Sequence, residues 1–151
     1  MDWAITDRVG GVSGGPWAGL NLGAHVGDDP AAVTDNRTRV AAEFGLDLAD
    51  LRLMRQVHGC AVSVVDRGHY DPTQEADVIV TDDPDVALVV LVADCTPILL
   101  LDRTEGLAAA VHAGRVGFAA GVVGAAVEAL RERGGGDLEA LVGPSVCPRC
   151  Y

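Results

Sequence analysis

Residues 86–102 read VALVVLVADCTPILLLD. A run this apolar is buried wherever it sits. Each half is too short to span a bilayer and the right length for a buried strand. The sequence therefore predicts strands over 86–93 and 98–101, separated by Asp94-Cys95-Thr96-Pro97. Further strands are predicted over 51–57, 61–66, 77–81, 107–111 and 138–142, with Asp82-Asp83-Pro84-Asp85 as the turn between two of them. Asp29-Pro30 is a helix start, with Val33, Val40, Ala41 and Phe44 at helical spacing and Gly45 as the stop. A second helix is predicted over 118–133, with Arg131 and Arg133 in its last turn and glycines 134–136 after it. Hydrophobic residues make up 49% of the 151 but aromatics only 4%, so the core is aliphatic, of Val, Leu and Ala. Strands in the middle with helices around them give one domain over 1–151 of mixed α/β (α+β) class, a layered sandwich of mixed β-sheets.

The formal charge of −11 argues against a nucleic-acid partner or an anionic membrane surface, which need a basic face. The start, Met1-Asp2-Trp3, has no basic region of the kind that opens a signal peptide, and four cysteines in this length do not make a disulfide framework. The expectation is a cytoplasmic protein with free thiols. Cys147-Pro148-Arg149-Cys150 lacks a second pair for a zinc knuckle and is expected to be structural or substrate-lining rather than redox-active. Seven glycines between Gly10 and Gly27 make a loop or hairpin. It is not a P-loop, because the GxxxxGK[ST] pattern is missing and the chain has no lysine. Tight turns account for most of these glycines, and Arg8, Ser13, Asn21 and His25 are the polar groups on that loop that a ligand could meet.

The break at residues 94–97 interrupts a core strand with an acid, a thiol and a proline. Pro97 cannot donate to a ladder and holds Thr96 extended, so the break can turn Cys95 out of the sheet. His58 closes the strand ending in QVHG and His112 closes LAAAVHAG. A single buried Cys or His usually only packs. Three such groups at the ends of apolar strands point to a site, and two chemistries remain open. Cys95 with a histidine makes a nucleophile and base for hydrolysis or acyl transfer. Two imidazoles and a thiolate make a three-ligand metal site with the fourth position open. Copper in a trigonal His₂Cys set would need a weak axial ligand such as Met, and only Met1 and Met54 exist.

The segments DRVGGVSGGPWAGLNLGAHVGDDPAAVTDNR, RQVHG, ADVIVTDDPDVALVVLVADCTPILLLD, AAAVHAGRVGFAAGVV and LVGPSVCPRCY follow one another in this order. Together they resemble the YfiH-like laccase-domain family, also called multicopper polyphenol oxidoreductases or purine nucleoside phosphorylases. The resemblance runs from about Asp7 to Tyr151. It implies a mixed α/β sandwich related to the putative cysteine-hydrolase fold, and one Zn²⁺ held by His58, Cys95 and His112, which would also be the catalytic residues. It implies phosphorolysis of adenosine, inosine or methylthioadenosine to free base and ribose 1-phosphate, with adenosine deamination beside it. Arg8 and Asn21 are then expected near the nucleoside and phosphate. The family's HAGWRG is His112-Ala113-Gly114-Arg115-Val116-Gly117 here, so a role for its arginine passes to Arg115 only if that residue reaches the same place. A four-copper centre is excluded, because it needs many more imidazoles than His25, His58, His69 and His112. Asp94 is expected to orient His112 or a zinc-bound water. A monomer is expected, and the resemblance implies the N-terminal portion of a longer chain, the absence of whose remainder would leave strand edges bare. The rival readings are a metal-free Cys-His hydrolase, a polyphenol oxidase and an inactive fragment.

Overall fold

The computed structural model describes residues 2–150. These divide into two compact units, one of residues 2–51 and one of residues 52–150.

The first unit is the glycine-rich segment and one helix. α1 spans Pro30–Glu43, with the Asp29 side chain accepting from Ala31 N–H and Gly45 at φ +67° beyond its end. Val33 and Ala41 are buried, whereas Phe44, the residue after the last helical one, is exposed. The glycines serve backbone packing: a Cβ on Gly19 would stand 1.9 Å from the Arg8 carbonyl oxygen, and one on Gly11 would stand 2.2 Å from that of Gly19. The hub of this loop is Asn36 on α1, fully buried, which accepts from Val12 N–H and donates to Ser13 Oγ and the Asn21 carbonyl.

The second unit is a five-stranded sheet in the order β2-β3-β6-β5-β7. Its strands are β2 (Val62–Val64), β3 (Val78–Thr81), β5 (Thr96–Asp102), β6 (Leu107–Ala113) and β7 (Glu139–Val142). Among the described residues of this sheet, β2 and β3 pair in parallel and the other neighbours antiparallel. A smaller two-stranded sheet joins β1 (Leu51–Leu53) to β4 (Ala87–Val89). Alternation sorts the side chains onto two faces. Val78, Val80, Ile98, Leu100, Leu107, Ala109, Val111 and Ala113 pack with Val122, Ala126, Ala129 and Leu130 of α3 (Val122–Arg131). Ile79, Ala110 and Leu99 face the other way, towards Leu88 of the smaller sheet and towards Met54, Val65 and Ala76. The sheet is thus the middle layer of a mixed α/β sandwich with an aliphatic core. Two carboxylates sit inside it. One, Asp102, accepts from the N–H groups of Thr104, Glu105, Gly136 and Asp137 and so ties the β5–β6 turn to the approach of β7.

Several elements differ from the sequence expectation: the strand expected over 51–57 is strand only at Leu51–Leu53, and β5 starts at Thr96, so Thr96 and Pro97 of the expected break belong to a strand. The helix expected over 118–133 is two: α2 (Arg115–Ala119), starting directly after β6, and α3, separated by Gly121 at φ +93°. Left-handed backbone cannot continue a helix, and glycine adopts it without the steric cost of a side chain. The buried strand expected over 86–93 is strand only at 87–89 and half-buried. Its apolar run continues as irregular chain because a side chain takes over the ladder: Gln56 donates to the Leu91 carbonyl at 2.7 Å and accepts from Leu91 N–H at 2.9 Å.

Candidate metal centre

The face alternation places the chemistry. In β6, residues 108, 110 and 112 point away from α3, and His112 lies opposite Pro97 of β5. Cys95 lies in the bend at residues 93–95 directly ahead of β5, and this bend brings the thiol beside the imidazole. The Gln56 amide clamp on Leu91 draws the QVHG loop to the segment leading into Cys95. The donor atoms of His58, Cys95 and His112 all lie within 4.8 Å of one another. The two imidazole rings meet edge to face, centroids 4.8 Å apart. His112 is buried, Cys95 half-buried and His58 exposed, so the trio opens to one side.

Asp77 organises it. This fully buried carboxylate holds His112 Nδ1 at 2.7 Å through Oδ1. The same oxygen accepts His58 N–H at 2.9 Å, while Oδ2 accepts Gly59 N–H at 2.7 Å and Val57 N–H at 3.3 Å. His58 has φ +62°, unusual for a residue with a side chain. The carboxylate's grip on three successive N–H groups keeps it there. One side chain thus sets the ring of one histidine and the backbone of another, leaving His112 Nε2 as the donor towards the trio. Burial pushes the Asp77 carboxyl up, but the hydrogen bonds from His112, Gly59, Val57 and His58 outweigh it and hold it below the usual carboxylate range. Asp94, expected to orient His112, is exposed; Asp77 does that work. Its sequence signal was an acid directly ahead of the apolar run Val78-Ile79-Val80, which must be paired if buried.

Gly114, the residue before α2, supplies room. A Cβ there would stand 2.8 Å from His58 Cδ2, 3.1 Å from Cys95 Sγ and 3.7 Å from His112 Cε1. A Cβ on Gly117 would collide with the Gly59 carbonyl at 2.5 Å, so α2 can pack against the His58 loop only with glycine at that position. Two imidazoles and a thiol around a space kept clear of side chains suit a tetrahedral ion, whose N and S donors stand roughly 3.3–3.7 Å apart. Burial, followed by the charges of Asp94 and Asp77, pushes the Cys95 thiol up. That is the reverse of the depressed thiol of a cysteine nucleophile, and a cation among the three donors would favour the thiolate.

Arg115 is the first residue of α2, next to Gly114, and exposed. Arg8 and Asn21 belong to the first unit. The Arg8 guanidinium clasps the Ala18 carbonyl through Nε at 3.2 Å and Nη2 at 2.7 Å. The Asn21 amide donates to Gly23 O and Asp28 Oδ2 and accepts from Gly23 N–H. Ser13 donates to Asp28 Oδ2, and His25 is exposed. Among the described residues no helix is long and apolar enough to cross a membrane.

The family model described as multi-copper polyphenol oxidoreductase laccase matches residues 2–151. A purine nucleoside phosphorylase of Streptomyces coelicolor is 51% identical over 152 residues, 99% of this chain and 63% of that protein. One of Mycobacterium tuberculosis is 48% identical over 97% of this chain and 59% of its own length. The crystal structure of YlmD from Geobacillus stearothermophilus superposes with a TM-score of 0.89 at 34% identity, over 95% of this chain and 57% of that one. The chain thus spans about three fifths of the length of the relatives it matches.

Proposed function

This chain belongs to the multi-copper polyphenol oxidoreductase laccase family, and we propose that it forms the metal-holding part of a purine nucleoside phosphorylase, with one Zn²⁺ held by His58, Cys95 and His112. The observation that carries this reading is the convergence of the three donors around the space that Gly114 leaves open. A divalent ion bound there supplies Lewis acidity beside a substrate.

The remaining roles fall to the chain. Asp77 keeps His112 in one tautomer and the His58 loop in its left-handed turn. In phosphorolysis a phosphate oxygen bonds to C1′ of the ribose while the bond to the base nitrogen breaks, so an anion must be held against the sugar. Arg8 and Arg115 are the guanidinium groups assigned to it, since a planar fork suits phosphate. Asn21 is assigned to the nucleoside side, where its bonds to Gly23 and Asp28 shape the loop. Adenosine, inosine and methylthioadenosine are the proposed substrates; deamination of adenosine would use the same open metal position.

A second reading has one observation in its favour. Cys95, His112 and Asp77 stand in the order thiol, imidazole, carboxylate that a metal-free cysteine hydrolase uses. The raised thiol weighs against it. Elemental analysis should find one equivalent of zinc, and Cys95→Ala or His112→Ala should each remove most of it. Base release from inosine should then require phosphate, stop on chelation and return with zinc. Release needing neither phosphate nor metal, but abolished by thiol alkylation, would establish the hydrolase instead.

A further inference from the structure

The segment Cys147-Pro148-Arg149-Cys150 carries two exposed thiols that the metal site does not use, with Cys147 Sγ 3.3 Å from Cys150 Sγ. A turn sets this separation, Cys150 N–H donating to the Cys147 carbonyl at 2.9 Å, and Pro148 stiffens it. The turn is anchored from upstream. Val146 N–H donates to the Asp94 carbonyl at 3.0 Å and Gly143 N–H to the Pro97 carbonyl at 2.9 Å, so the chain beyond β7 stays bonded to the residues on either side of Cys95. The two sulfurs are unequal. The hydrogen bond between the two thiols, helped by the Arg149 and Cys150 backbone, pulls the Cys147 thiol below its usual range, and the same bond pushes Cys150 up. An exposed thiol with thiolate character beside a second thiol is the arrangement that exchanges with disulfides.

We propose that Cys147 and Cys150 form a reactive dithiol that takes low-molecular-weight disulfides, Cys147 attacking and Cys150 resolving. The Cys147 thiolate bonds to one sulfur of RSSR, whose S–S bond breaks to release RS⁻, which takes up the proton Cys147 had lost. Cys150 then gives up its proton and attacks the Cys147 sulfur of the mixed disulfide. The second RS⁻ leaves and takes that proton. The dithiol loses two electrons and two protons, and RSSR becomes two RSH. The sulfurs close from 3.3 Å to about 2.05 Å, a small movement for an exposed turn. This runs against the sequence expectation that set the redox role below a structural or substrate-lining one, and it stands apart from the metal reading.

The test is incubation of the reduced protein with oxidised glutathione, alkylation of the remaining thiols and peptide mass mapping. The peptide containing residues 147–150 should become two hydrogens lighter and escape alkylation, reversibly on adding reductant. Cys150→Ser should trap a glutathione adduct on Cys147. Cys147→Ser should stop at an adduct on Cys150, and a brief exposure of the unaltered protein should place the first glutathione on Cys147. Exposed Cys60 is the internal reference. The proposal fails if Cys147 and Cys150 stay alkylatable while Cys60 has acquired glutathione. It also fails if the unaltered protein stops at a mixed disulfide, or if Cys150 reacts first.

Discussion

Replacing Asp77 with asparagine changes one atom and strikes two ligands. The carboxylate is fully buried and accepts four hydrogen bonds, two on each oxygen. An amide keeps its shape but only one acceptor oxygen. If the NH₂ takes the place of Oδ2, it faces the Gly59 and Val57 N–H groups, donor against donor. If it takes the place of Oδ1, it faces His58 N–H, and His112 can satisfy it only by accepting through Nδ1. The imidazole proton then sits on Nε2, where the lone pair for a metal is lost. A hydrogen bond to a charged group contributes about 1.5–3 kcal/mol. Two are lost, and the longest of the four, at 3.3 Å, is weak. The expected loss of folding stability is therefore about 2–4 kcal/mol. Metal affinity should fall about 10–100-fold, the usual effect of removing a group that orients a ligand. Chelator competition measures the affinity, urea unfolding the stability, and the absorption of a Co²⁺-substituted sample reports the thiolate and imidazole environment. A purely structural role for Asp77 would lower stability and leave the Co²⁺ spectrum and affinity alone. Asp77→Asn binding metal within about twofold of the parent, while Cys95→Ala loses it, would refute the argument.

Gly114→Ala places a methyl 2.8 Å from His58 Cδ2 and 3.1 Å from Cys95 Sγ. Metal binding should weaken at least about tenfold while far-ultraviolet circular dichroism is unchanged, a ratio set by displacing one donor from its geometry. Leu130→Ala empties the centre of the α3 face, where Leu130 is fully buried, and should cost about 2–5 kcal/mol in urea unfolding with little effect on metal binding. Acid should destabilise the fold. Asp102, through bonds from the Glu105, Gly136, Asp137 and Thr104 N–H groups, and Asp77 both have folded-state values below the usual carboxylate one. Their contribution is whole above about pH 4, near the unfolded value, and is lost as pH falls through the folded values. Urea midpoints should be flat from about pH 5 to 7 and fall below about pH 4. A midpoint that rises on acidification would contradict this.

What the sequence determined by itself was local. Burial follows from composition, so the aliphatic runs at 78–81, 98–101 and 107–111 could be read as core strands before any partner was known. Asp29-Pro30 and Gly45 marked α1 because a cap and a left-handed stop act over a few residues. The donor types of the site were legible too, since an acid, a thiol and a proline inside a core strand have no packing value. The tertiary structure decided which groups meet. Asp77 and His112 are 35 residues apart, and only the pairing of β3 with β6 sets one beside the other. The strand expected over 86–93 was cut short because its partner is a glutamine side chain, which no periodicity reveals. The glycines of residues 10–27 marked a loop, but only the folded chain shows Asn36, a polar residue on a helix, buried at its centre. Side-chain pattern encodes how much of each residue is hidden, whereas register and backbone approach encode what it is hidden against, and those are settled only when the whole chain packs.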